Sequence, residues 1–179
     1  MKYIISLIFS ATILCAHAQV VVNDANAEAR SVSSFNAIKV SGGIDIYLSQ
    51  GSGEALAVSS REKKFTDKIK TEVKDGVLII YYEKENNWFG GGEPNKKLKA
   101  YVTVKNLNKI QAAGASDIYI SGTLKTDALK LDMSGASDIK GDIKCDKLDI
   151  DNSGASDVNI TGSAVTTKIR LSGASDFKN

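Results

Sequence analysis

Five aspartates recur inside one short word: Asp45 in "GGIDIYL", then Asp117, Asp138, Asp157 and Asp176, each closing a "GASD". The last four are spaced 21, 19 and 19 residues apart. Carboxylates repeated in this way suit three kinds of chemistry: a ladder for a hard cation, paired acids acting on a polysaccharide, or acceptors that hold a turn together. In a stack of β-strands equivalent positions lie about 4.8 Å apart, where like charges repel by about 1 kcal/mol in water. Turn N–H groups offset that repulsion if each Asp accepts from them, with Ser116, Ser137, Ser156 and Ser175 helping. A bound Ca²⁺ offsets it equally well. The nine-residue calcium-binding word, Gly-Gly-x-Gly-x-Asp, is not written here at its spacing. The turn reading is therefore preferred, and a cation ladder on Asp45, Asp117, Asp138, Asp157 and Asp176 is the alternative.

A second set of acids could serve hydrolysis. Asp132, Asp142, Asp149 and Asp151, with Lys130 or Arg170 nearby, would supply carboxylates and a cation to one face of a repetitive β structure. The same alternation arises on any solvated strand face without chemistry. The only histidine, His17, lies in the leader, so His-dependent triads are absent from the rest of the chain. Cys145, the only thiol after the leader, reads as a small buried apolar residue. No cofactor is expected, and the chain is expected not to be an enzyme. Trp88 and Phe89 sit in the glycine-rich loop "KENNWFGGGEPNKK", where an aromatic pair either stacks on a ligand or folds back over the sheet.

These residues need elements to hold them, and the pattern is almost all strand. "FNAIKV", "IDIYLSQG" and "ALAVSS" alternate or run apolar, and "IKTEVKDGVLIIYYE" reads as two strands joined by a hairpin turn at Asp75-Gly76. One short helix is expected in "SSREKKFTDKIK", from the capping-box spacing of Ser59 and Glu62 and the shared face of Phe65 and Ile69. From Gly114 each unit repeats a turn, a short strand, a second turn and another apolar alternation. A period near 20 without helix predicts an all-β, β-helix or solenoid-like stack of short strands with repeats of about 19–21 residues. Ile118 and Ile120, Leu129 and Leu131, Leu148 and Ile150, and Ile169 and Leu171 are expected to point inward.

The first residues, "MKYIISLIFSATILCAHAQ", carry one cation, an apolar run and Ala16-His17-Ala18, the marks of a cleaved secretory signal over residues 1–18. That segment is too short for a permanent membrane anchor, and a lipid anchor at Cys15 is disfavoured because Leu14 precedes it. The expected organisation is an N-terminal extension at 19–34 and one domain at 35–179, with the regular array at 114–179. The whole sequence carries 23 basic and 21 acidic residues, which is not the footprint of a nucleic-acid binder.

"FNAIKVSGGIDIYLSQG", "VKDGVLIIYY", "KLKAYVTVKNLNKIQAAGASDIYI" and the serial "GASD" words together resemble the putative auto-transporter adhesin head GIN domain, with Gly43-Ile44-Asp45 as the GIN-like triplet. The resemblance implies a bacterial, secreted or envelope-associated β-helical domain (periplasmic, outer-membrane-associated or extracellular) and transfers no catalytic residue. It makes an adhesive interaction module the leading expectation, with a calcium-binding repeat or a polysaccharide-acting enzyme as alternatives. The expected partner is a glycan or protein ligand at the cell surface, contacted through Trp88 and Phe89 if that loop makes contact. No transmembrane segment is expected in the mature chain. The last unit stops three residues after Asp176, which leaves end-to-end self-association open.

Overall fold

The structure is a computed structural model that describes residues 24–83 and 95–178. It is all-β: 65% strand and one helix of a single turn. Twelve strands follow in chain order: β1 (Glu28–Arg30), β2 (Ala37–Ser41), β3 (Asp45–Gln50), β4 (Ala55–Ser59), β5 (Ile69–Lys74), β6 (Val77–Tyr82), β7 (Lys99–Val104), β8 (Lys109–Ala113), β9 (Ile118–Met133), β10 (Ile139–Gly154), β11 (Asp157–Gly173) and β12 (Asp176–Lys178). The helix α1 (Lys63–Thr66) lies between β4 and β5.

One long strand ties the sheet into a nearly closed, barrel-like wall. The beginning of β9, Ile118–Ser121, pairs in parallel with β3, whereas its end, Lys130–Met133, pairs with β8. The sheet therefore runs β1-β4-β7-β3-β9-β8-β2-β6-β5 and returns on itself around the core. Below β9, β10 and β11 follow the same path in parallel register, Ile118 beside Ile139 beside Val158 and Leu131 beside Ile150 beside Ile169. Alternation in each strand sends one set of side chains inward. Ile46, Leu48, Ile80, Ile118, Leu131 and Ile150 are all at most 1% exposed.

The unequal spacing of the GASD words has a local cause. Between Tyr119 and Thr123 β9 uses three residues where β10 uses Gly141 alone, because Ile120 and Ser121 still pair with Leu48 and Ser49 of β3. The next two units match residue for residue, from Ile139 beside Val158 to Gly154 beside Gly173, with Asp146 and its partner left unpaired. Gly141 is required at the narrowing, since a Cβ there would sit 2.4 Å from Cβ of Ile120. Gln50 braces the same side: its amide donates to the carbonyls of Lys105 and Lys125 at 3.1 and 2.8 Å and accepts from Lys125 N–H at 2.9 Å.

The Asp75-Gly76 pair forms the hairpin its residue types predict, with φ of 51° and 75° between antiparallel β5 and β6. Two expectations are corrected. The helix is a single turn starting after Glu62, and no side-chain cap forms from Ser59; Ser60 instead donates to the Glu62 carbonyl at 2.7 Å and shares a hydrogen bond with Thr66. Ile69 is buried but lies in β5, not on a helix face shared with Phe65. Ile169 and Leu171, expected inside, are 39% and 45% exposed, because β12 covers only Asp157–Asn159 of β11.

The turn glycines carry the sharpest steric demand. Gly135, Gly154 and Gly173 have φ of 79–89°, and a Cβ at each would sit 2.5 Å from the carbonyl oxygen of the glycine one rung earlier. Gly122 has φ of 72° but open space around it. Gly154→Ala should therefore destabilise by about 2–3 kcal/mol, combining a left-handed backbone with a clash, and Gly122→Ala by only about 1 kcal/mol from the backbone alone. Urea unfolding of both variants measures the difference.

Candidate ligand-binding face

The repeated turn is the frame for every exposed residue near it, and its hydrogen bonds can be followed group by group. The Ala N–H of each turn donates to the Gly carbonyl of the rung before: Ala136 to Gly114, Ala155 to Gly135 and Ala174 to Gly154, at 2.7–2.8 Å. The Ser N–H donates in the opposite direction, Ser116 to Ser137 Oγ at 3.3 Å and Ser137 to Ser156 Oγ at 3.1 Å. Ile44 stands where the later turns have Ser and donates its N–H to Ser116 Oγ at 3.2 Å. The Asp N–H donates to the preceding carboxylate, Asp138 to Asp117 at 3.3 Å and Asp157 to Asp138 at 3.0 Å. Ser116, Ser137 and Ser156 are fully buried, as hydroxyls with these partners can be.

Asp45, Asp117, Asp138, Asp157 and Asp176 thus form a single file down one corner of the stack. Asp45 begins it, accepting a backbone hydrogen bond from Asp117. Burial and the neighbouring Asp117 charge push the Asp45 carboxyl above the usual carboxylate range, although that hydrogen bond and Lys99 pull the other way. Among the described residues, no group of three or more His, Cys, Asp or Glu side chains is gathered as a metal site.

Beside the file runs a column of tyrosines. Tyr101 of β7, Tyr47 of β3 and Tyr119 of β9 are in register on neighbouring strands, and their rings stack with centroids 5.2 and 5.3 Å apart. Tyr101 donates its hydroxyl to Asp24 Oδ2 at 2.8 Å and Tyr119 to Asp117 Oδ2 at 3.2 Å. Burial and the Asp117 carboxylate push the Tyr119 hydroxyl up to about 12, and burial with Asp24 pushes Tyr101 above the ordinary tyrosine range. Tyr47, in the middle, is 38% exposed. Lys99 reaches over this group, its ammonium 3.6 Å from Asp24 and 5.9 Å from the Tyr47 ring centre. Stacked rings held at both ends by carboxylates make a stiff, partly apolar strip with polar tips, the character that tyrosine brings to binding surfaces.

The acids considered for hydrolysis are placed differently. Asp132 lies between Lys109 and Lys130 at 3.0 and 3.1 Å. Arg170 spans Asp149 at 2.9 Å and Asp151 at 3.1 Å. These six share one outer face. Asp142 is apart from them and accepts from Thr161 at 3.0 Å. Burial opposes ionisation of Asp132, but its two lysines outweigh that and hold it below the usual range; Thr123 and Thr161 lower Asp142. A general acid needs the opposite shift. Cys145 lines a cleft of about 690 Å³ together with Lys125, Asp127, Lys144 and Asp146, and burial first, then Asp146, pushes its thiol up, away from a reactive thiolate. Trp88 and Phe89 lie outside the described residues.

The tyrosine column is the feature that sequence reading missed. Its signal was present: "DIY" follows the file aspartate at both Asp45 and Asp117, so Tyr47 and Tyr119 fall in register whenever those turns stack. Tyr101 carries no such mark, since "KAY" has no aspartate before it.

Against this geometry, the family described as "Putative auto-transporter adhesin, head GIN domain" matches residues 34–179. Among solved structures, a putative adhesin from Bacteroides fragilis is similar at 26% identity and a TM-score of 0.74, covering 85% of this chain and 69% of its own. A putative adhesin from Parabacteroides distasonis shares the fold at 21% identity and a TM-score of 0.63, covering 86% of this chain and 72% of its own. A putative lipid binding protein from the same species does so at 18% identity and a TM-score of 0.64, covering 87% and 74%. No curated protein sequence matches the chain.

Two measurements probe the corner and the charged face. Asp138→Ala removes the acceptor of Asp157 N–H and should cost about 1–2 kcal/mol, whereas Asp138→Asn keeps an acceptor and should cost less. The stabilisation tied to Asp24 and Asp132, whose folded values are depressed, is present above about pH 4 and lost as pH falls through those values. Urea midpoints between pH 7 and pH 2 should fall on the acid side, and Asp132→Asn should flatten that fall.

Proposed function

The chain belongs to the putative auto-transporter adhesin head GIN domain family, and from that premise we propose that it is an exported, non-enzymatic module whose β-helical stack presents an adhesive face. The β-helical reading is supported by the parallel, in-register course of β9, β10 and β11 at intervals of 19 to 21 residues. Export is supported by the leader at residues 1–18, with its apolar run and small-x-small site. The absence of chemistry is supported by Asp132, Asp149 and Asp151 being engaged in ion pairs.

One observation carries the adhesive reading: Tyr101, Tyr47 and Tyr119 form a stacked, partly exposed column on a rigid sheet face. A core has no use for tyrosines there, since the interior side of β3 is already filled by Ile46 and Leu48. Rigid aromatic surface with polar tips loses little side-chain entropy on contact, which is why such residues dominate binding energetics.

Beads coated with the mature chain should adhere to bacterial or host-cell surfaces, and the double variant Tyr47→Ala, Tyr119→Ala should lose most of that adhesion while remaining folded by circular dichroism. Wild-type beads that adhere to neither surface would sink the reading. So would release of reducing sugar from an acidic polysaccharide by the purified chain. The calcium alternative is separated by thermal unfolding: the midpoint should be the same in excess EDTA and in millimolar calcium. A site held at about 100 times its dissociation constant would instead add about 2.7 kcal/mol.

A further inference from the structure

We propose that the tyrosine column, flanked by Asp45 and Asp117, docks a cationic segment of a partner protein, a stretch carrying arginine or lysine. This rests on the adhesive reading of the same face and adds the chemistry of what is bound.

The argument is one of charge and shape. Three carboxylates border the column, Asp24, Asp45 and Asp117. The cation reaching over them is Lys99, and its ammonium is within ion-pair distance of Asp24 alone. Asp45 and Asp117 have no cation within 4 Å among the described residues, unlike Asp132, Asp149 and Asp151 on the other outer face, each of which has one within 3.1 Å. Asp45, at the start of β3, and Asp117, just before β9, each stand two residues before a column tyrosine. Asp117 accepts from the Tyr119 hydroxyl, and Lys99, in register with Asp45, attracts it from beyond ion-pair distance. An arginine or lysine laid on this face would pack its methylene stem along the rings and bring its charged head to the carboxylates. Lys99, lying over Tyr47 with its head on Asp24, already has that arrangement within the chain.

One further fact points the same way, and a second limits where capture can occur. Burial and the Asp117 charge raise the Asp45 carboxyl, so its ionised form is held at a cost to the fold that an incoming cation would relieve. The chain as a whole has a formal net charge of +2, so bulk charge does not draw a polycation to it and any capture must be local.

The test is a titration of the mature chain with an oligo-arginine peptide, followed by NMR shifts of the tyrosine ring protons, with maltohexaose as a neutral polyhydroxyl probe. The peptide should saturate shifts at Tyr47 and Tyr119 and weaken with salt between about 0.05 and 0.5 M. Asp45→Asn and Tyr47→Ala should each weaken it roughly three- to tenfold. Asp45→Asn should at the same time raise the unfolding midpoint at pH 7. The sign follows from the raised folded value: charged Asp45 costs stability as pH rises through that value, and asparagine removes the charge. The stability gain shows that a loss of binding is not a loss of fold.

Peptide binding unchanged in both variants overturns the proposal, as does a failure of the wild type to bind the peptide. Tyrosine shifts driven by maltohexaose instead overturn it in favour of a hydroxyl-binding face. Bead adhesion that survives Asp45→Asn, Asp117→Asn but fails with the tyrosine double variant leaves the adhesive reading standing without its cationic partner. Absent adhesion in the wild type removes the reading itself.

Discussion

Each corner of the stack has to bring two backbones close enough for an amide to reach the carbonyl one rung earlier, and only glycine permits that approach. Gly135, Gly154 and Gly173 lie against the glycine before them with no room for a Cβ, and the alanine after each donates across the gap. The approach also fixes where the next two residues fall. Serine must bury its hydroxyl over the preceding turn, and aspartate must place its carboxylate under the next amide. Because the bonds alternate in direction, each turn both donates to and accepts from its neighbours. In the turn at Gly135 the Ala136, Ser137 and Asp138 amides all find partners in the neighbouring turns. The long strands inherit their register from these corners, and the core follows from the register.

The same constraint sorts the outer surface into two kinds. On the face carrying β8 and the ends of β9, β10 and β11, register sets Lys109 beside Lys130 and Asp132 beside Asp151. Opposite charges nearby still pair: Asp132 with Lys109 and Lys130, and Arg170 with Asp149 and its register partner Asp151. Pairs of this kind at the surface are worth about 0–1 kcal/mol each, so they do little to hold the sheet together. On the other face, Tyr101, Tyr47 and Tyr119 lie in register and Asp45 stands beside Asp117, with Lys99 in register on the other side of Asp45. Stacked rings gain from this; stacked carboxylates do not. Asp117 and Asp138 offset that repulsion through the turn N–H groups their carboxylates accept.

What the sequence made legible was whatever depends on local backbone chemistry or on period. Asp75-Gly76 specified its hairpin because both positions need positive φ. The GASD words marked the corners because glycine, serine and aspartate each meet a separate demand there. The inward alternation of Leu129, Leu131, Leu148 and Ile150 followed from the strand period. What escaped depends on neighbours far away in the chain. Ile169 and Leu171 have inward-facing parity, but burial also needs a covering rung, and β12 reaches only the start of β11. Ser59 and Glu62 had helix-capping spacing, yet β4 runs through Ser59 and pairs it with Lys99, so the strand ladder took the residue first. The charged acids were visible as a set, but their pairing with Lys109 was not, because that partner comes from β8.

The tyrosine column illustrates the limit most clearly, because its three members come from three segments that meet only in the folded sheet. Tyr47 and Tyr119 sit 72 residues apart and are brought together by the equivalence of their turns; Tyr101 joins from β7, whose register on β3 is set by the strand itself. The carboxylates that border them have a double duty. Asp117 serves the corner through one oxygen, which accepts Asp138 N–H, and the tyrosine face through the other, which accepts Tyr119. Asp45 accepts from Asp117 and is raised by burial and by that neighbour's charge. An asparagine at position 45 would hold the same turn bond without the repulsion. The turn alone therefore does not account for a charged residue there, and the remaining account is the surface that this charge faces.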